Sequence, residues 1–162
     1  MNAFEPNDLR KAAWIRNVAS AGTTYYYPFK YKIRSSTTVT EYHTVFRLAE
    51  QLLIRAEART HQNKLNGAIE DIDAIRFRAG LPLIKNTNPG ISKTDLLNAI
   101  YKERQPELFS EWGNRWFDLK RTNRSMAVLA PIKPKWKADY VLFPIPKAET
   151  DRNPNISQNN GY

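Results

Sequence analysis

The sequence predicts a mainly α-helical fold of paired antiparallel helices, with irregular, partly extended segments at both ends. Three observations point there. Two apolar stripes at helical spacing follow one another between Val45 and Ala79, separated by a short polar break. A further helix opens at Ser92, a cap residue followed three positions later by Asp95. The flanking stretches, 1–46 and 122–162, carry no comparable stripe.

In order, residues 1–46 read as an irregular segment with strand-like pieces. Asp8 to Val18 fits a short amphipathic helix through Leu9, Ala12, Ala13 and Ile15. Thr23 to Ile33 is aromatic and β-prone, and Pro28 argues for an edge or a loop there. The helical scaffold, 47–121, begins with Leu48, Ala49, Leu52, Leu53 and Ala56, predicting a helix over 47–62. Leu65, Ala68, Ile69, Ile72 and Ile75 predict its partner over 64–79, closed by Gly80 and Pro82.

Small Ala56 and Ala68 sit where two such helices would cross, on a unit of about 34 residues, which is the tetratricopeptide pattern. The match is partial, because the first helix lacks its large aromatic. Such hairpins normally stack in series. The 92–121 stretch supplies one neighbour: a helix over 93–112 kinked at Pro106, then a short helix packed through Trp116, Phe117 and Leu119. Gly113 is expected at positive φ, joining a helix stop to a fresh cap at Asn114. From 122 the chain reads as an extended tail, with a β-prone run at Tyr140–Ile145 and a terminal aromatic, Tyr162, that argues for a docked end.

Composition narrows the function. With 162 residues, 41% of them hydrophobic, the chain is one domain with a real core. It has no cysteine, which excludes disulfides, thiolate metal sites and a cysteine nucleophile. Two histidines, His43 and His61, are too few for a histidine-rich zinc site, so neither metal nor cofactor is expected. No apolar run is long enough to span a membrane, and Met1 to Arg16 carries Glu5 and Asp8 where a signal peptide needs an apolar core. The net charge of +9 is uneven: residues 47–112 hold ten bases and nine acids, residues 113–162 nine bases and four acids. A nucleic-acid groove wants bases interleaved with aromatics, whereas these lie in a Pro-broken loop beside a single Trp136. We read a solvated loop and expect no nucleic-acid partner.

Several motifs in one order resemble the SusD/RagB family. They are Arg47-Leu-Ala-Glu50, Leu53-Ile-Arg-Ala-Glu57-Ala and Arg76-Phe-Arg-Ala-Gly80-Leu-Pro82, followed by Glu103-Arg104 and Glu107-Leu108. Glu111-Trp-Gly-Asn-Arg115-Trp-Phe-Asp118-Leu-Lys-Arg121 comes next, then Leu142-Phe-Pro144-Ile-Pro146, Asn153-Pro154-Asn155 and the ending Gln158-Asn-Asn-Gly161-Tyr162. Asp8-Leu9-Arg10 is similar to the family's Asp-Pro-Arg element, with Leu9 replacing the proline. The resemblance implies a non-enzymatic lipoprotein on the outer face of a Bacteroidetes outer membrane. It implies binding of an oligosaccharide or other nutrient and capping of a TonB-dependent, SusC-like transporter. It also implies that this chain is only the C-terminal portion, Met1 being an artificial or truncated start, with the missing N-terminal part as a partner and the lipid anchor elsewhere. A free-standing helical-repeat adaptor for a protein or peptide is the alternative.

The candidate residues follow. Glu103, Glu107 and Glu111 share one helical stripe, with Arg104 and Arg115 in reach. Two carboxyls facing across a sugar would make a glycosidase; on one helix beside arginines they read instead as a structural ion-pair network, so no catalytic residue is assigned. Arg47, Glu57, Arg76, Asp118 and Arg121 read as further pairs that fix helix register. Trp112, Trp116 and Phe117 read as core rather than sugar platforms. Trp14, Tyr25, Tyr26 and Tyr27, in the irregular segment, are the ligand-binding candidates, with plain packing as the equal alternative.

Overall fold

The structure, a computed structural model, describes residues 3–33 and 35–162; Met1, on which the reading of an artificial start rests, lies outside them. The chain forms two compact units, one ending at Trp112 and one running Gly113–Tyr162.

The first unit opens with helix α1, Leu9–Trp14, whose N-terminus is capped by Asp8 accepting from the Arg10 amide. The expected helix over 8–18 is cut short: Ile15 continues as strand β1, Ile15–Ser20, pairing antiparallel with β2, Thr23–Pro28. The turn decides it. Ser20 faces Thr23 across a two-residue loop, Ala21-Gly22, with φ of 46° and 76°, the double positive φ that matches strand twist. The loose end of α1 is closed by residues that follow it, one nearby and two beyond the ribbon. Arg16 Nη1 donates to the Ala12 carbonyl at 2.8 Å, Phe29 N to Trp14 at 2.7 Å, and Lys32 Nζ to Ala13 at 3.3 Å.

Helices α2, Leu48–His61, and α3, Leu65–Arg78, pack as an antiparallel hairpin. Ala56 and Ala68 are both fully buried, along with Leu53, Ile72, Leu96 and Ile100. Each large apolar side chain so buried contributes about 1.5–3 kcal/mol. Asp71 on α3 reaches back to α2, accepting from Arg55 Nη2 at 2.6 Å and Arg59 Nη1 at 2.8 Å. The one-turn helix α4, Ile84–Thr87, is capped from outside itself, its first amides Ile84 N and Lys85 N donating to Asp73 at 2.7 and 3.0 Å.

Helix α5, Lys93–Glu107, covers the hairpin, contacting both α2 and α3. Ser92 caps it, accepting from Asp95 N; the Asp95 carboxylate meets the Ser92 hydroxyl at 2.7 Å instead of returning to its amide. The expected kink at Pro106 with helix to 112 is corrected. Pro106 sits in the last turn and the helix stops at Glu107, with Ser110 and Trp112 at positive φ. A proline there cannot supply the amide that the Lys102 carbonyl would accept, so the ladder closes within a turn of it rather than running on through a bend.

The second unit holds helices α6, Asn114–Arg121, and α7, Ser125–Leu129, a 3-10 turn at Ala138–Val141, and helix α8, Lys147–Arg152. Gly113 is itself the cap of α6, at φ 72°, and Asn114 is the first helical residue rather than the cap. The tail is more helical than expected: the β-prone run at Tyr140 begins inside the 3-10 turn, and Pro146 starts α8. Tyr162 is docked, its ring 5.5 Å from that of Tyr140 and its hydroxyl donating to the Leu142 carbonyl. Trp116 is half-buried against Trp136 and Phe143. Trp112 and Phe117 are 59% and 60% exposed, which corrects their reading as core.

Candidate functional site

Two grooves flank the segment formed by α1 and the β-ribbon, and they divide the aromatic candidates. Consecutive strand residues face opposite sides, so Tyr25, Tyr26 and Tyr27 cannot form one platform. Tyr26, opposite Asn17, is 54% exposed and lines a groove of about 560 Å³ with Phe4, Asn7, Lys11, Arg16 and Asn17. Tyr25 is exposed, opposite Val18, and Tyr27 is half-buried edge-on to Phe29. Trp14, at the end of α1, lines a second groove of about 280 Å³ with Lys30, Tyr31, Tyr42, Arg47 and Glu111. There the Lys30 ammonium stands 4.1 Å from the Trp14 ring centroid.

Sequence reasoning missed the second group because its residues come from four separate stretches. The loop that completes it is pinned by polar contacts: Glu41 accepts from Lys32 N and Ile33 N at 2.7 and 2.9 Å, and Thr44 N donates to Tyr31 Oη at 3.2 Å. Trp112 Nε1 donates to the Thr44 carbonyl, also at 3.2 Å.

Behind the grooves lies a charge network built on α5 and the residues just after it. Glu107 is fully buried and accepts from Arg47 Nη1 at 2.8 Å, from Arg10 Nη1 at 3.1 Å and from Arg78 Nη2. Burial alone would raise its pKa, but the hydrogen bonds from Arg78 and Arg47 outweigh that and hold it below the ordinary carboxylate range. Arg10, equally buried, is gripped by Asp8 through Nε at 2.9 Å and Nη2 at 2.8 Å. Its Nη1 also lies 2.7 Å from Glu103 Oε1, as an ion pair rather than an aligned hydrogen bond.

Glu103 in turn takes Arg76 Nη1 at 2.9 Å, and Arg76 also binds Glu5 at 3.0 Å. Glu111 accepts from Arg47 Nε at 3.0 Å and from Lys30, and burial pulls the Lys30 ammonium below its usual pKa despite Glu111. Arg104 faces Glu50 at 3.9 Å, and Glu57 accepts from the Tyr101 hydroxyl at 3.2 Å. Arg115, Asp118 and Arg121 belong to the second unit, where Arg121 Nε donates to Asp118 at 2.9 Å.

The network tells against acid/base chemistry, because each glutamate is already committed to cations. Sequence reasoning missed Glu5, Asp8, Arg10, Lys30, Glu50 and Arg78 as partners in it. Asp8-Leu9-Arg10 was visible as a motif, but only the fold carries Arg10 to Glu107, 97 residues on. Among the described residues no group of histidine, aspartate and glutamate is arranged to hold a metal ion.

Comparison with known proteins agrees with this architecture. The SusD family model matches residues 7–141. SusD-like protein P38 of Formosa agariphila is 33% identical over 138 residues, covering 82% of this chain and 27% of that protein. SusD-like protein P25 of the same organism is 33% identical over 132 residues, covering 73% and 24%. A SusD-like protein of Bacteroides fragilis superposes with a TM-score of 0.56 at 27% identity, covering 70% of this chain and 25% of that one. A SusD superfamily protein of Bacteroides thetaiotaomicron gives 0.55 at 28% identity, covering 71% and 25%. The chain belongs to the SusD family. It spans about a quarter of the length of the curated relatives it matches.

Proposed function

We propose that this chain is the scaffold-bearing C-terminal portion of a SusD-like nutrient-binding protein, taking an oligosaccharide in the grooves along its ribbon. The observation that carries this is Tyr26, an exposed ring set in a groove whose other walls offer amides and cations. A flat ring covers the apolar face of a pyranose while polar neighbours take its hydroxyls. Family membership supports the wider setting: a SusC-like, TonB-dependent transporter as partner, a position on the outer face of the outer membrane, and a lipid anchor outside this chain. Residues 1–46 serve as the ligand-facing segment, 47–121 as scaffold and 122–162 as tail. The role is non-catalytic, since Glu103, Glu107 and Glu111 are held as ion pairs.

Affinity of this chain alone is expected to be weak, about millimolar, because one platform contributes only a few kcal/mol after ordering costs. Calorimetry with neutral and charged oligosaccharides, against Tyr26→Ala and Trp14→Ala, tests the placement. Micromolar binding that survives both changes overturns it, and cleavage abolished by Glu107→Gln overturns the non-catalytic role. The alternative, an adaptor for a peptide, is favoured by a separate groove of about 670 Å³ beside α3, where Phe77 is 76% exposed near Ile69, Leu83 and Pro89. Peptide binding abolished by Phe77→Ser would select it.

A further inference from the structure

The Tyr26 groove has an unbalanced charge. Its two carboxylates are spent: Asp8 gives both oxygens to Arg10, and Glu5 is tied to Arg76 at 3.0 Å and Lys102 at 3.3 Å. Arg76 holds the Glu5 carboxyl below its usual pKa, so it stays ionised and paired. Its two cations are not spent. Among the described residues no carboxylate lies within 4 Å of Lys11 or Arg16, and the Lys11 side chain makes no hydrogen bond. Arg16 is held in place by its Nη1 bonds to Ala12 and Ile15 and by the Phe29 ring 4.8 Å from Cζ, while Nε and Nη2 have no partner among the described residues. Its strand position pairs with Tyr27 rather than Tyr26, so its guanidinium acts on the groove as a fixed, uncompensated positive charge rather than as a direct contact.

Resting on the saccharide reading above, we infer that this groove selects acidic sugars. Tyr26 receives the ring, the Asn7 and Asn17 amides take hydroxyls, and Lys11 takes the uronate carboxylate or sulfate ester, with Arg16 adding positive charge beside the groove. A neutral sugar would leave both cations without a counter-charge and gain only the ring contact. A hydrogen bond to a charged group is worth about 1.5–3 kcal/mol, or roughly ten- to a hundredfold in affinity. Nucleic acid fits less well. Stacking along a strand wants a row of rings, and this groove presents one exposed ring between amides.

The test is calorimetry on the whole chain at low ionic strength with a galacturonic acid tetramer, its neutral galactose counterpart and a sulfated galactan oligomer. Polyglutamate and a single-stranded oligonucleotide serve as charge controls. The acidic sugars should bind at least about tenfold more tightly than the neutral one, and the preference should fall steeply with salt. Lys11→Gln with Arg16→Gln should abolish the preference, and Tyr26→Ala should weaken every sugar. Lys11→Gln alone should give part of the loss, which keeps the test decisive if Arg16→Gln loosens the end of α1. Equal affinity for the neutral tetramer, unmoved by the cation changes, overturns the acidic-sugar inference and leaves the saccharide reading standing. Binding of none of the sugars overturns both. Equal binding of polyglutamate or the oligonucleotide, indifferent to Tyr26→Ala, overturns the sugar class in favour of a general polyanion.

Discussion

Replacing Glu107 by glutamine keeps the side chain's shape and removes its charge from the centre of the network. The carboxylate is fully buried and joins Arg10, Arg47 and Arg78, the first of which is only 4% exposed. Glutamine keeps one acceptor oxygen but points an amide N–H₂ at guanidinium donors. Arg10 is then left with Asp8 and Glu103, and Arg47 with Glu111 and a backbone carbonyl. Removing one member of a buried ion pair costs about 3–5 kcal/mol, which for a domain of this size lowers Tm on the order of 10 °C.

The acid limit gives a second reading. The folded pKa lies below the unfolded one, so the carboxylate's contribution is complete above the unfolded value, about 4.3, and is lost as pH falls through the folded value. Wild type and Glu107→Gln should therefore differ most near neutrality and converge as pH falls below the unfolded value and through the lower folded one. Urea unfolding followed by far-UV circular dichroism at several pH values measures both effects. Lys147→Ala is the control: it breaks a surface pair whose lysine is 86% exposed and should change stability by about 0.5 kcal/mol or less. A loss below about 1 kcal/mol for Glu107→Gln at neutral pH would refute the account of the network.

Gly113→Val should cost about 1 kcal/mol or more, because valine is strained at φ 72° and its Cβ would press on the Phe117 ring at 3.3 Å; an unchanged thermal midpoint would contradict this. Asp73→Ala should cost about 1–2 kcal/mol in urea unfolding by uncapping α4, with hydrogen exchange rising at Ile84 and Lys85; protection there equal to wild type would disprove the cap. Ala21→Asn should stabilise the ribbon by a few tenths to about 1 kcal/mol, since asparagine tolerates positive φ better than alanine and Asn-Gly suits this turn, and a lower midpoint would count against the turn geometry.

The helical hairpin was legible because its code is local. Apart from Leu48, which is 75% exposed, the stripe residues on α2 and α3 fall on buried or half-buried faces, and Ala56 and Ala68 are both buried as that spacing requires. Gly113 was legible for the same reason: a helix stop abutting a helix start leaves few options besides positive φ. The hairpin turn at Ala21-Gly22 was not, because the apolar positions from Leu9 to Ile15 satisfied a helical period well enough to carry the reading into a strand. Trp112 and Phe117 were misread for a related reason, since helical spacing shows that residues share a face and not which face is covered.

The grooves were least legible, and the cause is the network itself. Trp14, Lys30, Tyr42 and Arg47 are brought together by tertiary contacts anchored at the end of α5 and just beyond it. Glu107 holds Arg10 at the start of α1, Glu111 holds Lys30 just after β2, and both hold Arg47 at the entrance to α2. Glu107, the last residue of α5, and Glu111 just beyond it thus fix three points of the segment that carries the aromatics. Lys30 makes the coupling direct, because the ammonium that sits over the Trp14 ring is the one Glu111 holds. In the proposed function the ion pairs act on binding through position. A ring aimed by buried charges does not have to be ordered when the ligand arrives, so less of the interaction energy is lost to side-chain entropy. Loosening Glu111 should consequently weaken binding at Trp14 while leaving the hairpin core of Leu53, Ile72 and Ile100 intact.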